Sequence, residues 1–247
     1  MIAADPLEEA QRLLERVAGN GLALRLLGGV AVRLRAGPTV PSCFQREYGD
    51  LDFVCTRKQG SAVVRFFGEA SYEPQTAFNA LQGHERLLFY DAEHGRKVDV
   101  FVGTFRMCHT IPLADRLTVD DATIPLAELL LTKLQVYELN EKDVRDALLL
   151  LHAHELTDDD RGLNAARVAE LCAADWGLWR TITGNLAACA EHIGNYELDD
   201  GARERILARC DDLRRRIDEA PKSRGWRMRA KIGERKRWYE LPEEVRD

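Results

Sequence analysis

The spacing of hydrophobic positions changes near residue 105, from short apolar runs to long helical repeats. Earlier in the chain, the runs DLDFVC and KVDVFV have the length and composition of strands, and residues 61–70 have helical spacing. From Ile124 onward, long segments repeat apolar residues every three or four positions, as amphipathic helices do. This pattern predicts an α+β protein: a mixed β-sheet with flanking helices in residues 1–110, followed by a helical domain in residues 111–247.

Local signals place the first helix and one hairpin. Asp5 suits the N-cap position, Pro6 the first helical position and Glu8 the third, while Gly19-Asn20-Gly21 ends the apolar repeat. Further along, HERLLFY and KVDVFVG are joined by the polar turn DAEHGR, which is typical of two antiparallel strands. We therefore expect a helix near the start of the chain and a β-hairpin in its middle.

Composition indicates a folded protein in a reducing compartment. Hydrophobic residues make up 45% of the 247 positions, which is enough for a buried core. The six cysteines are scattered without a Cys-x-x-Cys pair, so neither a disulfide framework nor a zinc site is expected. No apolar run approaches the roughly 18 residues that span a bilayer, and the start lacks the features of a signal peptide. We therefore expect a cytoplasmic protein without membrane contact.

The end of the chain differs in charge from the rest. Residues 222–247 contain nine Lys/Arg and five Asp/Glu, a balance of +4, whereas the whole chain carries −6, so the remainder carries −10. The basic side chains are suited to neutralise phosphates, and Trp226 and Trp238 between them to stack on bases, so we expect contact with RNA or DNA. The alternative is a helix whose cations face the acidic remainder, with both tryptophans packed against it.

Two carboxylates share one face of a predicted strand. Asp50 and Asp52 are two positions apart in DLDFVC, so their side chains point the same way, while Leu51 and Phe53 point toward a core. Two negative charges held this close repel each other unless a cation lies between them. Oxygen donors without Cys or His partners suit Mg²⁺ or Mn²⁺. The spacing therefore predicts a metal site at this strand.

A third carboxylate, Asp99, lies within the apolar strand KVDVFV, where it is costly unless it is satisfied. If this strand pairs beside DLDFVC, Asp99 falls next to Asp50 and Asp52 on one sheet face. Three such carboxylates can hold two metal ions about 3.5 to 4 Å apart for in-line phosphoryl displacement. Gly28-Gly29, between an apolar run and a short helix, adds a weaker signal, because glycine amides at a helix N-terminus approach phosphates closely.

The order of these motifs resembles the polymerase-beta-like nucleotidyltransferase superfamily and, within it, the abortive-infection (AbiE-type) nucleotidyltransferase toxins. The resemblance rests on LLGGVAVRL, REYGDLDFVC and KVDVFV, followed by LLLTKLQVYELNEKDVRDALLLL, and covers residues 26–151. Members have a lysine on the first helix after the sheet and a K/R-D-x-x-D element on the next, which Lys133 and residues 142–146 match. The resemblance implies a nucleotidyltransferase-type catalytic domain in residues 1–110.

The resemblance also implies a reaction: transfer of a nucleoside monophosphate from an NTP to an acceptor hydroxyl, with release of pyrophosphate. Asp50 and Asp52 would bind both metals, and Asp99 would complete the second metal site and act on the incoming hydroxyl. Lys133, the fourth catalytic residue, would neutralise triphosphate charge, as an ammonium can. The remaining nucleotide-binding residues would be Gly28, Gly29, Arg46, Asp143 and Asp146.

By the same resemblance, the acceptor is RNA, such as a tRNA 3′ end, or a protein hydroxyl, and a cognate antitoxin is an expected partner. Two alternatives stay open: a transferase for a small molecule such as an antibiotic, and a nucleotide- or RNA-binding module without catalysis. For the K/R-D-x-x-D element, the alternative is a set of i, i+3 and i, i+4 ion pairs on a solvated helix face. That set would be Lys142, Asp143, Arg145 and Asp146.

Overall fold

Helix α1 (Pro6–Ala18) begins at its capping residues in this structure, a computed structural model that describes residues 1–241. The Asp5 carboxylate accepts hydrogen bonds from the backbone N–H of Leu7 at 2.8 Å and of Glu8 at 2.9 Å. These bonds satisfy two of the donors that the first turn of a helix leaves unpaired. The predicted helix start is confirmed.

Five strands form one mixed sheet. They are β1 (Leu24–Leu27), β2 (Leu51–Cys55), β3 (Glu73–Pro74), β4 (Arg86–Asp91) and β5 (Arg96–Val102). Between them lie α2 (Gly28–Arg35), α3 (Gly60–Glu69) and α4 (Thr76–Gln82). The strand order is β1-β2-β5-β4-β3, with β2 and β5 parallel and the other neighbours antiparallel. The predicted hairpin is confirmed as β4 and β5.

Aromatic side chains fill the core on one face of this sheet. The rings of Phe67 in α3 and Phe89 in β4 stack with their centroids 4.6 Å apart, and Phe53 meets Phe67 edge-on at 5.8 Å. All three side chains are buried. Because neighbouring residues of a strand face opposite ways, Asp52 points away from this aromatic core.

The chain forms two compact units, and they do not divide at the predicted boundary between residues 110 and 111. The unit that contains the sheet, the sheet unit, comprises residues 1–35, 46–105 and 111–125. The other, the helical unit, comprises residues 36–45, 106–110 and, within the described part of the chain, 126–241. Residues 111–125 belong with the sheet because their last part lies beside β1, where Leu26 N–H donates to Ala122 O and Ile124 N–H donates to Leu26 O.

The second half of the chain is helical, as the sequence pattern predicts. In the described residues its helices are α5 (Leu126–Leu134), α6 (Glu141–Ala153), α7 (Ala165–Ala174), α8 (Trp176–His192), α9 (Asp200–Glu219) and α10 (Arg224–Ile232). Short strands precede and interrupt them: β6 (Thr104–Arg106), β7 (Thr110–Pro112), β8 (Leu156–Thr157) and β9 (Leu163–Asn164). Every residue of α5 is buried, including Lys133, so α5 is the central helix of this unit.

The described residues bear on two expectations from the sequence, one about membrane-spanning helices and one about the cysteines. No helix within residues 1–241 is long and apolar enough to cross a membrane. All six cysteines are free thiols, and five of them are buried. Burial raises the pKa of Cys55, Cys189 and Cys210 to about 12, so these thiols are protonated at neutral pH.

Candidate functional site

The predicted pairing of two aspartates across neighbouring strands is confirmed. Asp52 in β2 lies directly opposite Asp99 in the parallel strand β5. Asp99 is only 6% exposed and Asp52 is half-buried, while Asp50 is exposed and immediately precedes β2. The sheet therefore brings two of the three predicted carboxylates together and places the third at the start of the same strand.

Gly28 leaves room for the Asp52 carboxylate. It begins α2 with a φ of +74°, a backbone conformation that favours glycine. A Cβ atom at this position would lie 2.0 Å from Asp52 Oδ2 and 2.8 Å from Asp52 Cγ. The sequence predicts that this glycine admits a phosphate. In the structure, its absent side chain lets an aspartate approach the start of α2.

Arg46 lies against Gly29 in the first turn of α2. A Cβ atom on Gly29 would lie 2.1 Å from Arg46 Nη2 and 3.1 Å from Tyr48 Cδ1. The Arg46 guanidinium is 4.3 Å from the centroid of the Tyr48 ring and donates a hydrogen bond to Glu47 O at 3.0 Å. The start of α2 therefore combines the positive end of a helix and a guanidinium with the Asp52 carboxylate. These are the charges that a metal–triphosphate complex would require.

No motif in the sequence points to Arg86, which holds Asp99 in a two-bond ion pair. Arg86 Nε donates to Asp99 Oδ1 at 2.5 Å, and Arg86 Nη2 donates to Asp99 Oδ2 at 2.7 Å. In the β4–β5 register, Leu88 lies opposite Asp99 and Arg86 opposite Phe101, so Arg86 is the diagonal neighbour of Asp99. Sequence reasoning missed this residue because it assigned the hairpin without assigning its register.

The described residues contain no group of three His, Cys, Asp or Glu side chains that could hold a metal ion. Asp99 is engaged elsewhere, because Arg86 bonds both of its carboxylate oxygens. Asp50 and Asp52 offer the hard oxygen donors that suit Mg²⁺ or Mn²⁺. These two residues therefore fit one divalent cation. A metal role for Asp99 requires Arg86 to release it and stays a prediction.

In the helical unit, Lys133 on α5 pairs with two aspartates of α6. Its ammonium nitrogen lies 2.9 Å from Asp146 Oδ2 and 3.5 Å from Asp143 Oδ1. Lys133 is 9% exposed and Asp146 is 1% exposed. Burial raises the pKa of Asp143, an effect that Lys133 opposes and Asp146 adds to. Three residues that the sequence singles out by motif thus form one buried ion cluster.

One surface ion pair does lie along α6, but its acidic member is outside the set of residues predicted as the alternative. Arg145 pairs with Glu141, four positions earlier on the same helix, at 2.5 Å. Lys142 is exposed. The two aspartates of the motif point instead to the buried lysine. Helix α6 therefore has an ordinary solvated face and a second face that carries the ion cluster.

Both tryptophans of the basic segment contact the helical unit. Trp226 Nε1 donates to Cys172 O at 3.0 Å, and Trp238 Nε1 donates to Thr181 Oγ1 at 3.1 Å. Both side chains are half-buried. This is the packed arrangement of the alternative interpretation, and it leaves neither ring fully available to stack on a base. The end of the predicted basic segment, residues 242–247, lies outside the described residues.

The predicted site residues thus fall into two groups. In the sheet unit, the group around β2, β5 and α2 contains Gly28, Gly29, Arg46, Asp52 and Asp99, with Asp50 beside it. In the helical unit, the group contains Lys133, Asp143 and Asp146. Comparison of the chain with models of known families and with curated proteins found no match. The family assignment stays a prediction based on the motifs.

Proposed function

We propose that the protein is a metal-dependent nucleotidyltransferase that moves a nucleoside monophosphate from an NTP to an acceptor hydroxyl. The observation that carries the proposal is the position of Asp52, which lies opposite Asp99 across parallel strands and against Gly28 at the N-terminus of α2. Paired carboxylates beside a helix N-terminus suit a triphosphate with its cation. The α+β architecture is consistent with a nucleotidyltransferase-type domain in the sheet unit.

Binding of the triphosphate would use the start of α2. Arg46 and the first backbone N–H groups of this helix would bond to phosphate oxygens, and Gly29 would permit the close approach. Asp50 and Asp52 would hold Mg²⁺ or Mn²⁺, which when bound supplies positive charge against the phosphates. These roles do not involve Asp99, which is bonded to Arg86.

Asp99 would receive the proton of the acceptor hydroxyl. The hydroxyl oxygen bonds to the α-phosphorus, the bond from that phosphorus to the bridging oxygen breaks, and pyrophosphate leaves with the electron pair. Both Asp99 oxygens accept hydrogen bonds from Arg86, so one of them has to be released before it takes the proton. Arg86 is therefore a positioning residue for Asp99.

Lys133 would neutralise triphosphate charge, and Asp143 and Asp146 would orient it, as the family resemblance implies. In the structure the ammonium already pairs with the buried carboxylate of Asp146 and the half-buried carboxylate of Asp143. The role of this cluster is the part of the proposal that depends most on the resemblance.

The Arg86–Asp99 ion pair favours a second candidate function, a nucleotide-binding module without catalysis. In such a module, Asp50, Asp52 and the start of α2 would bind a nucleotide and its cation. Asp99 would remain bonded to Arg86 and would have no chemical role. The two candidates differ in one measurable property, the transfer of the nucleotide to an acceptor.

The acceptor that we propose is RNA, such as a tRNA 3′ end, and we propose a cognate antitoxin as a protein partner. Both assignments come from the resemblance to abortive-infection toxins. The rival acceptor is a small molecule such as an antibiotic. Induced expression in cells, with and without the neighbouring reading frames, tests the antitoxin: growth arrest relieved by one such frame is the expected result.

The transfer experiment uses the purified protein, Mg²⁺, each α-labelled NTP in turn and total cellular RNA. The site variant is Asp50→Ala/Asp52→Ala. The matched control is Glu93→Ala/Asp115→Ala, which removes two exposed carboxylates of the same unit. We expect label in RNA with the wild type and the control, and none with the site variant.

Other outcomes separate the alternatives. NTP binding without transfer to RNA, combined with transfer to a panel of hydroxylated small molecules, would identify the small-molecule enzyme. NTP binding without transfer to any acceptor would identify the binding module. Failure of the wild type to bind NTP or Mg²⁺ would refute the assignment of the site.

A further inference from the structure

Helix α10 presents a row of cations on its outer face. Arg224, Arg227, Met228 and Lys231 are exposed and follow the i, i+3, i+4, i+7 spacing of a single helix face. Trp226 is half-buried on the other side. At a rise of about 1.5 Å per residue, the row from Arg224 to Lys231 is about 10 Å long.

The inner face of α10 is fixed to the helical unit, so the row is held in place. Trp226 bonds to Cys172 O, and the Arg229 guanidinium is 4.5 Å from the centroid of a Trp176 ring. Arg229 also donates to the backbone oxygens of Gly233 at 2.6 Å and Lys236 at 2.5 Å. These bonds close the turn after α10 and hold the next cations near the same helix end.

The outer cations lack counter-charges. Residues 222–237 contain eight Lys/Arg and a single acidic residue, Glu234, which is itself paired with Arg180 at 2.6 Å. Within residues 1–241, six exposed cations of this segment have no ion pair: Arg224, Arg227, Lys231, Arg235, Lys236 and Arg237. In a chain with a net charge of −6, such a cluster indicates an anionic partner.

We propose that this outer face of α10 and the turn after it bind the phosphodiester backbone of a nucleic-acid strand, independently of its sequence. The kind of partner follows from two features that this face does not have, free aromatic rings and a large apolar surface. Its two tryptophans are half-buried and bonded within the helical unit, so neither ring is fully available to stack on a base. Met228 and Ile232 are exposed apolar side chains of this helix, but two are too few for the apolar core that a protein interface requires.

This inference deepens the proposed function, because it names how an RNA acceptor would be bound. It does not depend on the carboxylate site, and binding is measured without NTP or Mg²⁺. Residues 224–236 also lie outside the segment 26–151 that carries the family resemblance. The Asp50→Ala/Asp52→Ala variant is therefore expected to bind nucleic acid like the wild type, so that failure of transfer and failure of binding are distinguishable.

The test measures fluorescence anisotropy of labelled 20-nucleotide oligouridine, oligoadenosine and oligothymidine across a series of salt concentrations. The face variant is Arg224→Ala/Arg227→Ala/Lys231→Ala. The matched control, Lys58→Ala/Arg65→Ala/Arg205→Ala, removes three exposed cations elsewhere. Each cation removed from a single-strand contact makes the negative slope of log K against log salt shallower by about 0.7, so we expect the slope of the face variant to be shallower by about 2.

We expect the face variant to lose at least tenfold in affinity, the control to stay within twofold of wild type, and oligouridine and oligoadenosine to bind alike. Equal binding of oligothymidine would extend the partner to DNA, and weaker binding would restrict it to RNA. Thermal unfolding of the face variant at the wild-type temperature shows that the loss is local. No binding at low salt, equal loss in the control, or equally tight binding of polyglutamate would overturn the proposal.

Discussion

Replacement of Arg86 by methionine tests the buried ion pair at Asp99 most directly. Methionine keeps much of the length of the arginine stem, but it removes both donors to Asp99 and the guanidinium that lies 5.4 Å from the centroid of the Phe101 ring. The Asp99 side chain is 8% exposed and would then carry a buried charge without its partner. The expected result is a less stable sheet unit.

The size of the effect follows from the burial of the two side chains. Removal of one partner from a fully buried ion pair costs about 3 to 5 kcal/mol, because the other charge stays in a poorly solvated place. The Arg86 side chain is 25% exposed, so water reaches this pair and the expected cost is smaller. We expect the free energy of unfolding to fall by about 2 to 3 kcal/mol, discounted in this way from the fully buried case.

The assay is urea unfolding of four proteins: wild type, Arg86→Met, Asp99→Asn and the double variant. Asparagine removes the charge that becomes costly, so the double variant should be more stable than Arg86→Met alone. The coupling between the two positions should be about 2 kcal/mol, within the range measured for contacting residues. Separate probes for the two units are needed, because unfolding of two units is not always one transition.

Magnesium adds a second measurement. Without Arg86, both Asp99 oxygens are free to bind a cation beside Asp52. A cation that binds the folded protein alone raises its apparent stability. We expect Mg²⁺ to stabilise Arg86→Met more than the wild type and to have no such effect when Asp99 is Asn. An Arg86→Met protein within about 0.5 kcal/mol of wild type, the usual range for neutral surface changes, would refute the reasoning.

Three further predictions concern other parts of the structure. Gly28→Ala should abolish NTP-dependent transfer and lower the free energy of unfolding by about 1 to 3 kcal/mol. The reason is that the new Cβ would lie 2.0 Å from Asp52 Oδ2, at a residue whose φ is +74°. Gly60→Ala, with open space around it, is the control in both assays. Lys133→Met should destabilise the helical unit by about 3 kcal/mol, and by more at pH 8 than at pH 5 in urea unfolding. The reason is that burial raises the pKa of Asp143, which favours the neutral form of this aspartate at low pH. Burial lowers the pKa of His109 below its usual value of 6.5, so its contribution to stability is present above that pH and is lost as the pH falls through the folded-state pKa. His109→Gln should therefore reduce the fall of the urea midpoint between pH 7 and pH 5. The same fall in the variant as in the wild type would contradict this prediction.

Short-range features of the sequence determined most of the elements of this protein. The capping of α1 by Asp5, the helical second half and the β4–β5 hairpin all follow from residues within a few positions of one another. The direction of Asp52, opposite to that of Leu51 and Phe53, also follows from strand geometry, whereas Asp50 precedes the strand, so its predicted place on the same face stays a prediction. The pairing of Asp52 with Asp99 could also be predicted from the sequence, on the one condition that their two strands are neighbours in the sheet.

The tertiary structure decided which partners these residues have. The bond from Arg86 to Asp99 depends on the register of the hairpin, and the contact of Gly28 with Asp52 depends on how β1 lies against β2. Neither is encoded in the spacing of residues along one element. The division of the chain, with residues 111–125 in the sheet unit, likewise depends on backbone bonds to β1. Such contacts join residues far apart in sequence, and their geometry exists only once strands and helices have packed.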